Sequence, residues 1–114
     1  MNDDCLFCKI VKKEIPSDVV RETNTLLAFR DINPGAPTHV LVIPKQHVAS
    51  AKELDSSHGD MLGEIFETIA GIADDEGLDG HYRVVTNVGS KAGQSVFHLH
   101  FHLLGGRSLG WPPG

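Results

Sequence analysis

Residues 95–106 read SVFHLHFHLLGG, and this stretch places three of the seven histidines of the chain at every second position. In a β-strand successive side chains point to opposite faces of the sheet, so residues two apart share a face. The spacing therefore predicts a strand over residues 95–104 with a histidine face and an apolar face. The histidine face consists of His98, His100 and His102, and the apolar face consists of Leu99, Phe101 and Leu103.

Three histidines on one face of a strand suit two kinds of chemistry. A His-x-His pair can bind zinc with a third ligand and an open coordination position, as metallohydrolases do. Alternatively, a neutral imidazole can attack phosphorus while a neighbouring histidine assists proton transfer. The turn AGQS at residues 92–95 offers N–H groups and a hydroxyl that suit phosphate oxygens, so it favours the second hypothesis. A solvated polar face is the alternative without chemistry.

The composition is that of one small domain. The 114 residues are 40% apolar and 22% charged, which predicts a single domain over residues 1–114. A net charge of −5 argues against a nucleic-acid partner or an anionic membrane surface. No apolar run approaches the roughly 18 to 20 residues that span a bilayer, and the opening MNDDC lacks signal-peptide features. We therefore expect a cytoplasmic protein without a membrane partner.

Hydrophobic periodicity predicts two helices and five strands. In chain order these are a short helix at 5–12, strands at 19–22, 25–31 and 39–44, a long helix at 58–76, and strands at 82–88 and 95–104. Asp4 is the expected N-cap of the short helix. Ser56 or Ser57 is the expected N-cap of the long helix, and Gly77 should end it. The predicted fold is an α+β domain with a mostly antiparallel sheet of about five strands, covered on one face by the long helix.

The motifs around the histidines resemble those of the histidine triad (HIT) superfamily, whose signature is His-φ-His-φ-His-φ-φ, where φ is apolar. HLHFHLL at residues 98–104 matches it. Four segments resemble the Hint branch, the purine nucleoside phosphoramidases: FRDI at 29–32, APTHVLVIPKQH at 36–47, GQSVFHLHFHLLGGR at 93–107 and WPPG at 111–114. The resemblance implies a homodimer whose protomers join their sheets. It also implies hydrolysis of adenosine 5′-monophosphoramidates to AMP and an amine through a nucleotidyl-histidine intermediate.

The resemblance assigns roles to four catalytic candidates. His100, the central histidine, would be the nucleophile, and His102 would contact the α-phosphate. His39 would support the network around the nucleophile, and Ser95 would help the amine to leave. Attack on phosphorus concentrates negative charge on its oxygens, which N–H donors stabilise.

The same resemblance implies a set of residues that bind the purine nucleotide. Asp31 would accept hydrogen bonds from the ribose hydroxyls, and Asn87 would contact the sugar and phosphate. The purine slot would consist of Phe7, Phe29, Ile32 and Leu41, and the phosphate would be lined by Gly93, Gln94 and Ser95. Val96, His100 and His102 complete the predicted nucleotide-binding set. The tail that carries Trp111 would reach across the dimer toward the active site of the partner.

Several of these residues also have a purely structural interpretation. Asp31 can be a turn former before the dipeptide that follows, and Asn87 can mark the end of a strand. Trp111 can belong to a loose surface tail. Ordinary core packing is the alternative for Phe29, Ile32 and Leu41.

Both cysteines of the chain, Cys5 and Cys8, lie in one CLFC segment. A reducing compartment argues against a disulfide, and the pair supplies at most two zinc ligands, so a redox pair or a merely buried pair stays open. Some HIT proteins combine such a pair with two histidines in a structural zinc site, and that resemblance maps onto Cys5, Cys8, His47 and His98. It implies a structural zinc ion that steadies the segment carrying His100, with no catalytic metal.

Three other functions stay open from the sequence. Hydrolysis of dinucleoside polyphosphates, as in the related Fhit branch, is the second enzymatic hypothesis. A nucleotide-binding regulatory protein with incidental hydrolysis comes from a different class. A metallohydrolase built on the histidines is the last alternative.

Overall fold

The computed structural model of the protein describes residues 4–114, so the first three residues of the predicted 1–114 domain lie outside the described residues. Within this range the chain forms two α-helices and five strands. They are α1 (Leu6–Val11), β1 (Val19–Glu22), β2 (Leu26–Arg30), β3 (Thr38–Pro44), α2 (Gly59–Asp75), β4 (Tyr82–Val85) and β5 (Phe101–Gly105). None of the helices in residues 4–114 combines the length and apolar character that crossing a bilayer requires.

The strands form one sheet in the order β1-β2-β3-β5-β4, and every neighbouring pair is antiparallel. The register places Phe29 of β2 opposite Leu41 of β3, and Leu41 opposite His102 of β5. β5 therefore lies inside the sheet, between β3 and β4. The predicted α+β class with an antiparallel five-stranded sheet is confirmed.

Two apolar clusters form on opposite faces of the sheet. The cluster under α2 receives one stripe of the helix, spaced by three or four residues, namely Ile65, Ile69, Ile72 and Ala73. It also contains the predicted apolar face of the histidine stretch, namely Leu99, Phe101 and Leu103. The cluster under α1 contains Cys5, Phe7, Cys8, Ile10, Leu27, Phe29, Leu41 and Ile43. Because side chains alternate along β5, the histidines lie on the α1 side.

The strand that was predicted to begin at Ser95 begins at Phe101. In the segment before it, the Leu99 N–H donates to the Val48 carbonyl at 2.6 Å, so this group bonds to a loop and not to a neighbouring strand. The alternation of faces nevertheless extends back through this segment. Leu99 packs in the cluster under α2, whereas the His100 ring packs against α1 on the other face.

β4 is also shorter than predicted, because it ends at Val85 and not at residue 88. The next residue leaves the sheet, and the Thr86 hydroxyl donates to the His100 carbonyl at 2.8 Å. The other predicted boundaries agree with the structure to within one residue. Gly77 follows α2 with a φ of +73°, so it ends the helix as predicted.

Both helix N-caps differ from the prediction. Cys5 and not Asp4 caps α1, because the Cys5 sulfur accepts a hydrogen bond from the Cys8 N–H at 3.2 Å. Neither predicted serine caps α2, because both lie in a 3-10 turn (Ser56–His58) that precedes the helix and that Asp55 caps. A cysteine at the N-cap is unusual, and its sulfur has a second set of neighbours described below.

Candidate active site

A cavity of about 330 Å³ lies between α1 and the sheet face that carries the histidines. Nine predicted site residues line it, namely Phe7, Phe29, Asp31, Ile32, Leu41, Ser95, Val96, His100 and His102. Small-molecule sites typically enclose roughly 300 to 1,000 Å³, so this cavity suits a ligand at the small end of that range.

Six residues that the sequence analysis did not single out also line this cavity. They are Leu6, Ile10, Ile15, Pro16, Ser17 and Arg30. The helical periodicity of α1 places Ile10 three residues after Phe7, so this contact was accessible to sequence reasoning. Residues 15–17 lie in a loop and carry no sequence pattern that indicates a pocket.

One wall of the cavity is apolar and aromatic. The Phe7 ring makes edge contacts with the Phe29 ring at 5.5 Å and with the His100 ring at 5.1 Å between centroids. Phe29 and Leu41 are buried in the cluster under α1, so they serve the core and the cavity together. Ile32 is 91% exposed and lines the cavity from the surface. Such a wall suits a flat ring.

His100 is buried, and its hydrogen bonding defines which ring nitrogen carries the proton. Nδ1 lies 2.7 Å from the His98 carbonyl oxygen. A carbonyl can only accept, so Nδ1 carries the proton and donates it. Nε2 of the neutral ring therefore keeps its lone pair, and within residues 4–114 no hydrogen bond engages it. This is the form in which an imidazole acts as a nucleophile.

His102 has the opposite tautomer. The Gly35 N–H donates to His39 Nδ1 at 2.9 Å, so the proton of the neutral His39 ring is on Nε2. His39 Nε2 lies 2.9 Å from His102 Nδ1 and donates to it. His102 therefore carries its own proton on Nε2, and it lines the cavity as a hydrogen-bond donor.

Both of these rings are held in the neutral state on which that assignment depends. The pKa of His102 is lowered to about 4, chiefly by burial and further by the neighbouring His100 and His39 rings. Burial also lowers the pKa of His39, against the opposing effect of the Asp31 carboxylate. At neutral pH each ring therefore has one N–H and one lone pair.

Asp31, His39 and His102 stand close enough to share a metal ion, with ligand atoms within 4.8 Å of one another. The same ligand atoms also contact one another directly. His39 Nε2 lies 2.9 Å from His102 Nδ1 and 3.4 Å from Asp31 Oδ2, so one proton faces two acceptors. The other Asp31 oxygen accepts the Asn33 N–H at 2.8 Å. We call these three residues the relay cluster.

The turn before the histidines is held by a buried side chain. Gln94 is 3% exposed; its Oε1 accepts the Gly89 N–H at 2.9 Å, and its Nε2 donates to the Ala49 carbonyl at 2.8 Å and to the Val96 carbonyl at 3.1 Å. Gly93 adopts a left-handed φ of +105°. Of the three residues predicted to line the phosphate, Ser95 lines the cavity, whereas Gly93 and Gln94 do not; Val96, also predicted to bind the nucleotide, lines it as well.

The four predicted metal ligands come together beside α1. They are Cys5, Cys8, His47 and His98, with ligand atoms within 4.8 Å of one another. We call this group the Cys₂His₂ cluster. His98 Nδ1 lies 3.2 Å from Cys5 Sγ, 3.5 Å from Cys8 Sγ and 3.2 Å from His47 Nδ1. Cys8 Sγ lies 3.3 Å from His47 Nδ1.

These distances fit a tetrahedral zinc ion. With bonds of about 2.3 Å to sulfur and about 2.0 Å to nitrogen, such an ion spaces its ligand atoms by about 3.3 to 3.8 Å. The donor set of two sulfurs and two imidazole nitrogens is that of structural zinc sites. Burial raises the pKa of the Cys5 thiol, so a nearby cation is needed to hold that sulfur as a thiolate.

The orientation of His98 is also that of a ligand. Its Nε2 lies 2.7 Å from the Pro44 carbonyl, so Nε2 carries the proton and Nδ1 presents its lone pair to the Cys₂His₂ cluster. Burial lowers the pKa of His98, which keeps the ring neutral. His98 also links the two parts of the site, because its own carbonyl accepts the His100 ring proton.

A sequence profile described as "HIT domain" matches residues 12–109 of the chain. The chain belongs to the HIT domain family. A HIT-like protein of Synechococcus elongatus is 53% identical over 114 residues and covers 100% of both chains. The 14 kDa zinc-binding protein of Zea mays is 50% identical over 111 residues, covering 96% of this chain and 87% of its own. A HIT family hydrolase from Legionella pneumophila superimposes with a TM-score of 0.94 at 50% identity, over 96% of this chain and 99% of that one.

Besides Gly93 and Gln94, two further residues predicted to bind the nucleotide lie outside the cavity lining in the single chain. Trp111 is 82% exposed and lies near β4, with the Arg83 guanidinium 6.0 Å from the centroid of its ring. Asn87 lies close to Gly93, since its Nδ2 is 3.5 Å from where a Cβ on that glycine would lie. Neither residue lines the cavity that contains His100.

Proposed function

We propose that this HIT-family protein hydrolyses purine nucleoside 5′-phosphoramidates, releasing AMP from adenosine 5′-monophosphoramidate through a nucleotidyl intermediate on His100. The observation that carries the proposal is the pair of opposite tautomers on one cavity wall. His100 offers a lone pair at Nε2, and His102 offers a proton at Nε2. A nucleophile beside a neutral donor matches the needs of phosphoryl transfer. The HIT family hydrolase among its structural relatives supports this chemistry.

The first step forms a bond between His100 Nε2 and the α-phosphorus and breaks the bond from phosphorus to nitrogen. Negative charge grows on the phosphate oxygens, and His102 Nε2–H donates to one of them. The amine leaves with the electron pair of the broken bond and a proton that solvent delivers through the Ser95 hydroxyl, at the edge of the cavity. In the second step water adds hydroxyl to phosphorus and releases a proton, and Nε2 recovers its lone pair.

The same cavity provides for the rest of the nucleotide. Its apolar wall, formed by Phe7, Phe29, Ile32 and Leu41, takes the purine. Asp31 keeps one oxygen turned to His39, and its carboxylate accepts the ribose hydroxyls. The Gly93 and Gln94 N–H groups already bond to the Ser90 and Gly89 carbonyls, so the backbone donors to the phosphate are those that follow in the same turn, at Ser95 and Val96. Asn87 contacts the sugar and phosphate. Local donors hold the anionic substrate, since the net charge is −5.

We also propose that the Cys₂His₂ cluster holds a structural zinc ion. The ligand spacing and the His98 tautomer support it, as does the zinc-binding relative in Zea mays. A site with four protein ligands leaves no open position, so the ion would stabilise the fold without taking part in the reaction. When bound, it would fix the His98 segment, whose carbonyl orients His100.

A homodimer completes the proposal. Within residues 4–114, β4 is an edge strand of the sheet, with β5 on one side and no strand on the other. An unpaired edge is a ready template for a second copy of the chain. Joining two sheets at this edge would bring Trp111 of one protomer toward the other, in line with its exposure beside β4.

The test is a rapid acid quench of the reaction with adenosine 5′-monophosphoramidate, followed by peptide mapping. We expect AMP in the supernatant and an adenylyl group on His100. Faster turnover of diadenosine polyphosphate would favour the dinucleoside polyphosphate hydrolase instead. A regulatory protein would keep its cellular role in a His100→Asn strain, whereas the proposed enzyme would lose it. Absence of turnover in the zinc-loaded wild type would contradict the proposal.

A further inference from the structure

Arg107 is an exposed residue two positions beyond the end of β5, and both arms of its guanidinium bind backbone carbonyls. Nη2 donates to the Gly35 carbonyl at 2.7 Å, and Nη1 donates to the Ser108 carbonyl at 2.9 Å. Gly35 lies in the loop between β2 and β3, 72 residues away along the chain. The planar guanidinium therefore ties the end of β5 to that loop.

Gly106 allows this close approach. It has a φ of +93°, and a Cβ there would lie 2.8 Å from the Pro37 Cβ in the same loop as Gly35. A larger residue at position 106 would move the chain end away from that loop, so Gly106 helps to place the Arg107 guanidinium on Gly35.

Gly35 faces the active site with its other backbone group. Its carbonyl accepts from Arg107, while its N–H donates to His39 Nδ1 at 2.9 Å. That bond keeps the His39 proton on Nε2, and His39 donates it to His102 Nδ1 at 2.9 Å. Three hydrogen bonds thus connect an exposed guanidinium to the ring that lines the cavity.

We propose that Arg107 is a positioning residue: by fixing Gly35, it selects the His39 tautomer that keeps the His102 proton on Nε2, facing the substrate. Its kinetic consequence rests on the proposed function, whereas the tautomer is a property of the protein alone. When the loop is released, His39 Nδ1 loses its donor for part of the time. Both rings then exchange between tautomers, and His102 presents its proton to the phosphate less often.

The experiment is ¹⁵N NMR of the full-length, zinc-loaded protein labelled at histidine, alongside steady-state kinetics. In the wild type we expect well-separated signals for the protonated and unprotonated nitrogens of His39 and His102. Arg107→Ala should draw each pair of signals together and lower kcat about fivefold with little change in KM, the effect of losing one hydrogen bond. Arg107→Lys, which keeps one donor, should partly restore both. Lys52→Ala removes an equal charge from an exposed 3-10 turn and should change neither.

A matched pair of variants at Gly35 tests the hydrogen bond from its N–H to His39 directly. A Cβ on Gly35 would have its nearest neighbour at 3.7 Å, so Gly35→Ala fits and keeps the N–H, and its ring signals should stay separated. Gly35→Pro lacks the N–H and should shift them even with Arg107 intact. Unchanged ring signals in Arg107→Ala and Gly35→Pro would overturn the proposal. A lower Tm as the only change in these two variants would overturn it as well. Failure of the proposed function would show differently, as a wild type that releases no AMP while the NMR result holds.

Discussion

The Cys₂His₂ cluster and the relay cluster each contain two histidines, yet they present opposite chemistry. In the first, the far nitrogen of His98 donates to a backbone carbonyl, so the near nitrogen offers a lone pair to the sulfurs. In the second, the far nitrogen of His39 accepts from a backbone N–H, so the near nitrogen offers a proton. The backbone group behind each ring therefore decides whether a histidine cluster suits a metal ion or proton transfer.

The largest expected effect is the loss of turnover in a variant that leaves both clusters intact. In His100→Asn the amide nitrogen can still donate to the His98 carbonyl, as the His100 ring does at 2.7 Å, but no nucleophile remains. We expect turnover of adenosine 5′-monophosphoramidate to fall by at least about 10⁴-fold. Zinc content and Tm should stay close to wild type. Residual turnover within tenfold of wild type would move the nucleophile to another residue.

Cys8→Ser alters the Cys₂His₂ cluster and leaves the relay cluster unchanged. Cys8 is fully buried, and its sulfur lies 3.3 Å from His47 Nδ1. A serine hydroxyl at this position is a poor zinc ligand, because zinc is bound in such sites by a cysteine thiolate. We expect loss of bound zinc and a loss of stability on the order of 3 to 5 kcal/mol, measured by metal analysis and by urea unfolding. His39→Leu, in the relay cluster, is the matched control that should keep its zinc. A Cys8→Ser protein with full zinc content would show that the sulfur is not a ligand.

Acid should affect the relay cluster through His102. Its pKa is about 4 in the folded protein against about 6.5 when unfolded, so the unfolded state binds the extra proton as pH falls through this window. This contribution to stability is complete above about pH 6.5 and declines toward pH 4. Wild type should lose up to about 3 kcal/mol more than His102→Asn over this range in urea unfolding. Parallel stability curves for the two proteins would contradict the lowered pKa.

Substitutions of His39 are expected to have the smallest of these effects on kcat. They distinguish the role of its hydrogen-bond donor from the role of its side-chain volume. His39→Leu removes the donor that lies 2.9 Å from His102 Nδ1, and we expect kcat to fall about tenfold. His39→Gln can place an amide N–H near the same point and should retain more activity. Equal kcat for the two variants would mean that only the volume of His39 matters.

The sequence predicted the face of the sheet that carries the histidines better than the boundaries of two strands. Alternation depends on side-chain direction alone, and it places Leu99 and His100 on opposite faces even where the chain is outside the sheet. The start of β5 depends on which distant group takes the Leu99 N–H, and that group is the Val48 carbonyl of a loop. Such loop contacts carry no periodic signal.

The candidate site shows the same division. Motif resemblance predicted the four residues of the Cys₂His₂ cluster and nine residues of the cavity wall, since these positions are defined by residue type and spacing. The tautomers depend instead on backbone atoms of Pro44, Gly35 and His98, which every residue possesses. No residue type marks such a contact, so it is found only from coordinates.

His100, the proposed nucleophile, takes its orientation from a main-chain oxygen at position 98 and not from the ring of that residue. Any amino acid supplies that oxygen. A descendant of this protein that exchanged His98 and both cysteines for hydrophobic residues could therefore keep an attacking nitrogen aimed as it is now, provided the new packing preserved the path of the backbone. The proposed zinc site and the proposed catalysis are in this sense separable traits, free to be gained or discarded independently over evolutionary time.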